Sequence, residues 1–145
     1  MAITQAEFEF LISEDKLFDD LATSIKLGPS PIHWTRQINA ESTKEIFLLD
    51  FYRGSLELSK YTLNHRYRQT VILLRYDNGG RHTNPDGVSF EGAHVHLYRE
   101  GFNDKFAYPI SEIGVDNSDS MEIVFTKIMH FCNVKKYPNI EVSMF

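Results

Sequence analysis

A chain of 145 residues with 42% hydrophobic and 24% charged residues has the size and balance of one folded domain, able to bury roughly two-thirds of its unfolded surface. That balance excludes general disorder, and a net charge of −5 argues against broad, nonspecific nucleic-acid binding. Cys132 is the single cysteine, which excludes an internal disulfide and a CxxC zinc site.

In chain order, Thr4-Gln-Ala-Glu7 has the spacing of a capping box. Phe8, Leu11, Ile12, Phe18 and Leu21 then follow a helical period, which predicts a helix over residues 5–23 with a break open at Ser13. "LGPSP" at 27–31 stops the helix, because glycine and two prolines cannot continue it. Short strands follow. Ile32, Trp34, Arg36 and Ile38 alternate with polar residues, with Trp34 read as core, and "KEIFLLDFYR" at 44–53 reads as a central strand. Gly54 turns it into "SLELSKYTL", and "TVILLRYD" at 70–77 is a buried strand stopped by Asn78-Gly79-Gly80. "AHVHLYRE" at 93–100 and "KFAYPI" at 105–110 come next. Ser120 or Asp119 caps a last helix to about Val134 with Ile123, Val124, Lys127, Ile128 and Phe131 inward, and residues 140–145 read as an edge strand. The sum is a single α+β domain over residues 1–145: an N-terminal helix, a five- to six-stranded, mostly antiparallel meander sheet, and a C-terminal helix.

The longest apolar runs, such as Ile46–Leu49 and Val71–Leu74, span four residues, far short of the ~20 that cross a bilayer. "MAITQAEFEF" lacks the basic and apolar regions of a secretory signal, so a cytoplasmic location and no membrane partner are expected. Charge is uneven along the chain. Residues 1–20 carry Glu7, Glu9, Glu14, Asp15, Asp19 and Asp20 against one cation, Lys16. From Arg53 to Lys105 eight Lys or Arg stand against six Asp or Glu, and four of the six histidines lie there.

The chemistry concentrates in "RHTNPDGVSFEGAHVHLYREG", residues 81–101. On a strand, residues two apart share a face, so His94, His96, Tyr98 and Glu100 line one side and Val95 and Leu97 the other. Asn84-Pro85-Asp86-Gly87 has the preferences of a type I turn, able to return His82 toward that face. If residues 70–77 pair with this strand, Arg75 or Asp77 comes near the histidines. Three readings stay open. The histidines with Tyr98 and Arg75 can do acid–base work on RNA, one taking the 2′-hydroxyl proton and another protonating the leaving oxygen. His82, His94 and His96 can hold a divalent metal with Asp86, Glu91 or Glu100. Or they hydrogen-bond within a half-buried sheet and only stabilise a loop.

Candidate substrate contacts are Arg66, Arg68, Arg81 and Arg99; "HRYRQ" at 65–69 interleaves bases and rings in a way suited to phosphate contact and base stacking. Cys132 reads as a buried small apolar group. No P-loop, GxGxxG or GxSxG signature occurs, and no cofactor is expected.

"LLRYDNGGRHTNPDG", followed by "GAHVHLYREGF" and "KFAYPI", resembles an uncharacterised family of small bacterial and phage proteins with the core R-x-D … H-x-N-P-D-G … H-x-H-x-Y-x-E-G. The resemblance covers about residues 70–110 and maps onto Arg75, Asp77, His82, Asn84, Pro85, Asp86, Gly87, His94, His96, Tyr98, Glu100 and Gly101. It implies no activity. More loosely, the topology is similar to that of small endoribonuclease toxins, which cleave RNA without metal and are usually basic, where this chain is acidic.

Two functions are therefore expected in competition. One is a metal-independent endoribonuclease- or phosphodiesterase-like protein of a phage or mobile element, using His94, His96, His82, Tyr98 and Arg75. The other is a non-catalytic inhibitor that binds a host defence or nucleic-acid enzyme, its acidic N-terminal segment imitating nucleic-acid charge. RNA, a host enzyme, a cognate antitoxin or a second copy of the chain are the partners these readings allow.

Overall fold

In the computed structural model, which describes residues 2–57 and 59–142, the capping box forms as its spacing predicts. Thr4 Oγ1 accepts from Glu7 N at 3.0 Å, Glu7 Oε1 accepts from Thr4 N at 2.9 Å, and α1 (Gln5–Ser13) begins there. Phe8 and Leu11 are its buried residues.

The helix stops at Ser13 rather than near residue 23. Lys16 is the reason: it is fully buried, and its ammonium donates to the carbonyls of Ile12 (3.1 Å), Glu14 (2.9 Å) and Cys132 (2.7 Å). One cation thus satisfies carbonyls at the ends of both helices. Burial brings its pKa down to about 8, with Cys132, Glu14 and Asp15 opposing the shift. Beyond it, Lys16 and Phe18 point inward and Leu17 outward, a two-residue period, as β1 (Lys16–Phe18).

The remaining elements are β2 (Ile25–Lys26), β3 (Ile32–Ala40), β4 (Ile46–Arg53), β5 (Tyr61–Tyr67), β6 (Val71–Asp77), β7 (Arg81–Thr83), β8 (Ser89–Glu91), β9 (His94–Leu97), β10 (Ala107–Tyr108), a 3-10 turn at Ile110–Ile113, α2 (Met121–Phe131), β11 (Val134–Lys136) and β12 (Ile140–Glu141). The main sheet runs β10-β9-β6-β5-β4-β3-β1-β11. Every pairing in it is antiparallel except β1 with β11. The α+β architecture matches the sequence reading, but the sheet has eight strands rather than five or six. The additions are Lys16–Phe18 and the segment after α2, which pair with each other at one edge. Ile140–Glu141 pairs with β2 in a separate small sheet, while residues 143–145 of the expected edge strand lie outside the described residues.

One face of the sheet holds the core. Phe47, Leu49, Phe51, Leu63, Tyr76 and Val95 pack there in one cluster with Phe8 and Leu11 of α1 and Val124, Phe125, Ile128 and Met129 of α2. Ser120 caps α2 through Ile123 N, but Ile123 is 44% exposed, and Phe125 and Met129 take the inward positions instead. Trp34 stacks on Phe51, and Cys132 is buried with its thiol pKa pushed up to about 12 by burial. Among the described residues no helix is long and apolar enough to cross a membrane.

Candidate functional site

The second face of the sheet carries the polar alternates of the same strands. Register pairs Thr35 with Asp50, Asp50 with Asn64, Asn64 with Arg75, and Arg75 with His96. One row farther, Thr62 pairs with Asp77 and Asp77 with His94. The expected pairing of residues 70–77 with the His-x-His strand forms, and it brings Asp77, Arg75, His94 and His96 together.

Their geometry is closely specified. His94 Nδ1 donates to Gly92 O and His96 Nδ1 to Asp104 O, both at 2.8 Å. Each ring therefore directs its Nε2 toward Asp77, whose Oδ2 lies 3.5 Å from both. The other carboxylate oxygen of Asp77 accepts from Thr62 Oγ1 at 2.9 Å. Arg75 spans the cluster: Nε is 3.2 Å from Asp77, one terminal nitrogen is 3.0 Å from Asp104, and the other donates to His96 Nε2 at 3.1 Å. Burial alone would raise the Asp77 carboxyl, but the Arg75 guanidinium and the Thr62 hydroxyl, both donating to it, hold it well below the usual carboxylate range.

The histidines face the polar side, as alternation requires, yet their side chains are only 4% and 0% exposed. A hairpin of β7 and β8 covers them. Its Asn84-Pro85-Asp86-Gly87 turn closes with Gly87 N donating to Asn84 O at 2.8 Å, and Gly87 takes φ +92°, a conformation only glycine adopts without strain. Asn84 then hooks the hairpin to the sheet edge: its amide donates to Ala107 O at 2.9 Å and accepts from Ala107 N at 2.8 Å. His82 rides on this hairpin, its ring centroid 4.5 Å from that of His96 and 6.0 Å from that of His94. Its Nε2 donates to Lys105 O at 2.8 Å.

Tyr98 does not join this cluster. The strand ends at Leu97, and Tyr98 N bonds to Leu73 O where β6 turns two consecutive residues, Leu73 and Leu74, into the core. Tyr98 is thereby turned inward, stacking on Phe8 with centroids 6.0 Å apart. Glu100 likewise leaves, accepting from Gln5 N at 2.7 Å. The other carboxylates of the metal reading are also engaged elsewhere, Asp86 with Val88 N and Glu91 with Arg81.

The four candidate substrate arginines do not converge. Arg66 forms a fork with Asp50 (2.5 and 2.8 Å) on the outer face. Arg68 lies over the Tyr67 ring, Arg81 reaches Glu91 at 3.4 Å in an exposed pair, and Arg99 packs 4.2 Å from the Phe106 centroid. "HRYRQ" divides between faces, because His65 and Tyr67 are buried on the core side while Arg66 is on the polar side. Sequence reading missed Asp104 and Thr62, which hold Arg75 and Asp77; "FNDKF" has no periodicity to mark Asp104, and only the β5–β6 register identifies Thr62.

No curated protein and no solved structure matches the chain. A family model does match, over residues 3–134, and it takes in the whole histidine cluster. The chain belongs to the family described as a family of unknown function, DUF6978.

Proposed function

We propose that the protein works by binding another macromolecule, as a non-catalytic inhibitor of a nucleic-acid-handling or defence enzyme in a phage or mobile-element setting. The observation that carries this reading is the burial or engagement of four of the five groups expected to cleave RNA. His94 and His96 are buried with their Nδ1 atoms on backbone carbonyls, the Tyr98 hydroxyl is spent on Ile3, and the Arg75 charge faces Asp77 and Asp104. A general base must reach the proton it abstracts, and the side chains of His94 and His96 are 4% and 0% exposed.

Charge supports the choice of partner. Lys16, the only Lys or Arg of residues 1–20, lies inside the molecule, so the surface of that segment presents Glu7, Glu9, Asp15, Asp19 and Asp20 with no exposed Lys or Arg among the described residues. Among the described residues, Lys135 reaches Asp15 at 4.0 Å and Arg36 reaches Asp20 at 3.9 Å, Arg36 also donating to the Asp20 carbonyl at 3.1 Å. Phe10, 54% exposed, stands among the acids as an apolar anchor. Such a surface fits the basic nucleic-acid groove of an enzyme, where complementary charge speeds encounter and selects the partner.

The test pairs two measurements. Total RNA incubated with purified protein, with and without EDTA, is expected to stay intact. A protein partner captured from host extract is expected to be lost with the Glu7→Lys/Glu9→Lys/Phe10→Ala variant and kept with His94→Gln/His96→Gln. RNA cleavage by the wild type that disappears in the folded histidine variant would sink the proposal and restore the ribonuclease reading.

A further inference from the structure

The Asp77, His94 and His96 cluster has a feature that hydrogen bonding within the protein explains only in part, since Arg75 serves Asp77 and His96. Both rings have committed their Nδ1–H to a backbone carbonyl at 2.8 Å, so each neutral imidazole presents a lone pair at Nε2, that of His96 accepting from Arg75 at 3.1 Å. Both lone pairs point to the same carboxylate oxygen, Asp77 Oδ2, which is also an acceptor. The separations, 3.5 Å each, exceed a charge-assisted hydrogen bond. They are near the ligand-to-ligand edge of about 3.4 Å that bonds of roughly 2.0–2.1 Å produce in a tetrahedral site. Three acceptors facing one another inside a protein repel unless a cation lies among them, and the Arg75 guanidinium fills that place for Asp77 and His96.

We propose that Asp77, His94 and His96 bind a divalent first-row transition ion, zinc foremost. The donor set is two neutral imidazoles and one carboxylate, all within 4.8 Å of one another, and neutral nitrogen ligands favour such ions over calcium or magnesium. The surrounding bonds are those of a metal centre: backbone carbonyls fix the tautomer and aim of each histidine, and Thr62 Oγ1 at 2.9 Å holds the second oxygen of Asp77 aside. Asp77 replaces Asp86, Glu91 and Glu100 as the acidic ligand because β6 pairs directly with β9. His82 repeats the pattern on the covering hairpin, with Nε2–H on Lys105 O and the lone pair on Nδ1, its ring centroid 4.5 Å from that of His96. Because the ligands are buried under that hairpin, the ion's role is structural, pinning β7 and β8 to the sheet. Arg75 stands in for the ion: its guanidinium donates to both His96 Nε2 and Asp77 Oδ2, and it keeps Asp104 as a partner when an ion displaces it from the other two. This assignment does not depend on the partner-binding reading.

The test uses the whole chain, stripped with chelator and then titrated with zinc against a chromogenic chelator. Cobalt is used in parallel for its visible absorption. One equivalent per chain is expected, with the intense cobalt bands of a four-coordinate site and a rise in melting temperature on loading. His94→Gln and His96→Gln should each weaken binding at least about 100-fold. Arg75→Gln should tighten it, since the competing guanidinium is gone. A stripped, folded wild type that takes up no zinc and shows no cobalt bands overturns the proposal, whatever the variants do. So does binding that survives in both histidine variants, or affinity that falls ten-fold in Arg75→Gln.

Discussion

The hydroxyl of Tyr98 is bonded to both backbone groups of Ile3, accepting from its N–H at 2.9 Å and donating to its C=O at 2.6 Å. Two residues on, Glu100 and Gln5 repeat the exchange: Glu100 Oε1 accepts from Gln5 N at 2.7 Å, and Gln5 Oε1 accepts from Glu100 N at 2.9 Å. The Y-x-E half of the histidine motif is therefore an anchor for the start of α1, and it is separate in role from the H-x-H half. Tyr98→Phe should cost about 1–3 kcal/mol, because it leaves two buried backbone groups without partners. Urea denaturation gives the magnitude, and hydrogen exchange should show the loss of protection concentrated in α1.

Asn84 is the hook of the covering hairpin. Asn84→Asp keeps shape but cannot donate to Ala107 O, and it brings a carboxylate into a buried position. The hairpin should open locally. We expect diethyl pyrocarbonate to modify His94 and His96 several-fold faster in this variant than in the wild type. Equal rates would mean that the turn residues do not control access to the cluster.

His65 is fully buried, stacked on Phe47 at 5.2 Å, and neither ring nitrogen has a hydrogen-bond partner. Burial, with the nearby Lys16 charge, lowers its pKa from 6.5 to about 3. As pH falls below 6.5 the unfolded chain takes up a proton that the folded chain refuses, so stability is lost through that window and fully present above it. At about pH 5 the loss from this one group is about 2 kcal/mol. His65→Leu should match or exceed wild-type stability near neutrality and gain about 2 kcal/mol on it by about pH 5, measured by denaturant melts at both pH values.

Lys16→Met removes the donor shared by Ile12, Glu14 and Cys132 carbonyls, and should destabilise by about 2–4 kcal/mol at neutral pH. The wild-type lysine also has a pH signature. Its folded pKa, about 8, lies below the ordinary 10.5, so stability rises with pH between those values as the unfolded chain holds the extra proton. The gap between wild type and Lys16→Met should therefore widen from pH 8 to 10. A gap that narrows would show that the charged form is the one the three carbonyls select.

Local chemistry made much of this molecule legible. The Thr4–Glu7 box, the Asn84–Gly87 turn and the Ser120 cap are short-range hydrogen-bond patterns, and each formed where its residues stand. Strand alternation correctly put His94 and His96 on the polar side of the sheet and apolar Val95 on the core side. Where local pattern failed, a distant partner had decided. Phe18 and Leu21 fit a helical period, but Lys16 found carbonyls at the ends of two helices and started a strand instead.

What the sequence by itself determined, then, is the α+β class, the turns and helix starts, and the faces of His94, Val95 and His96, because dihedral periodicity and turn geometry act over a few residues. Burial and partnership were decided only in three dimensions. That His94 and His96 are covered, that Asp77 and not Glu100 faces them, and that Tyr98 serves Ile3 all depend on strand register and on contacts between residues up to 95 positions apart. Such contacts form only where the fold repays the entropy of closing long loops, and no local periodicity records which pairs those are.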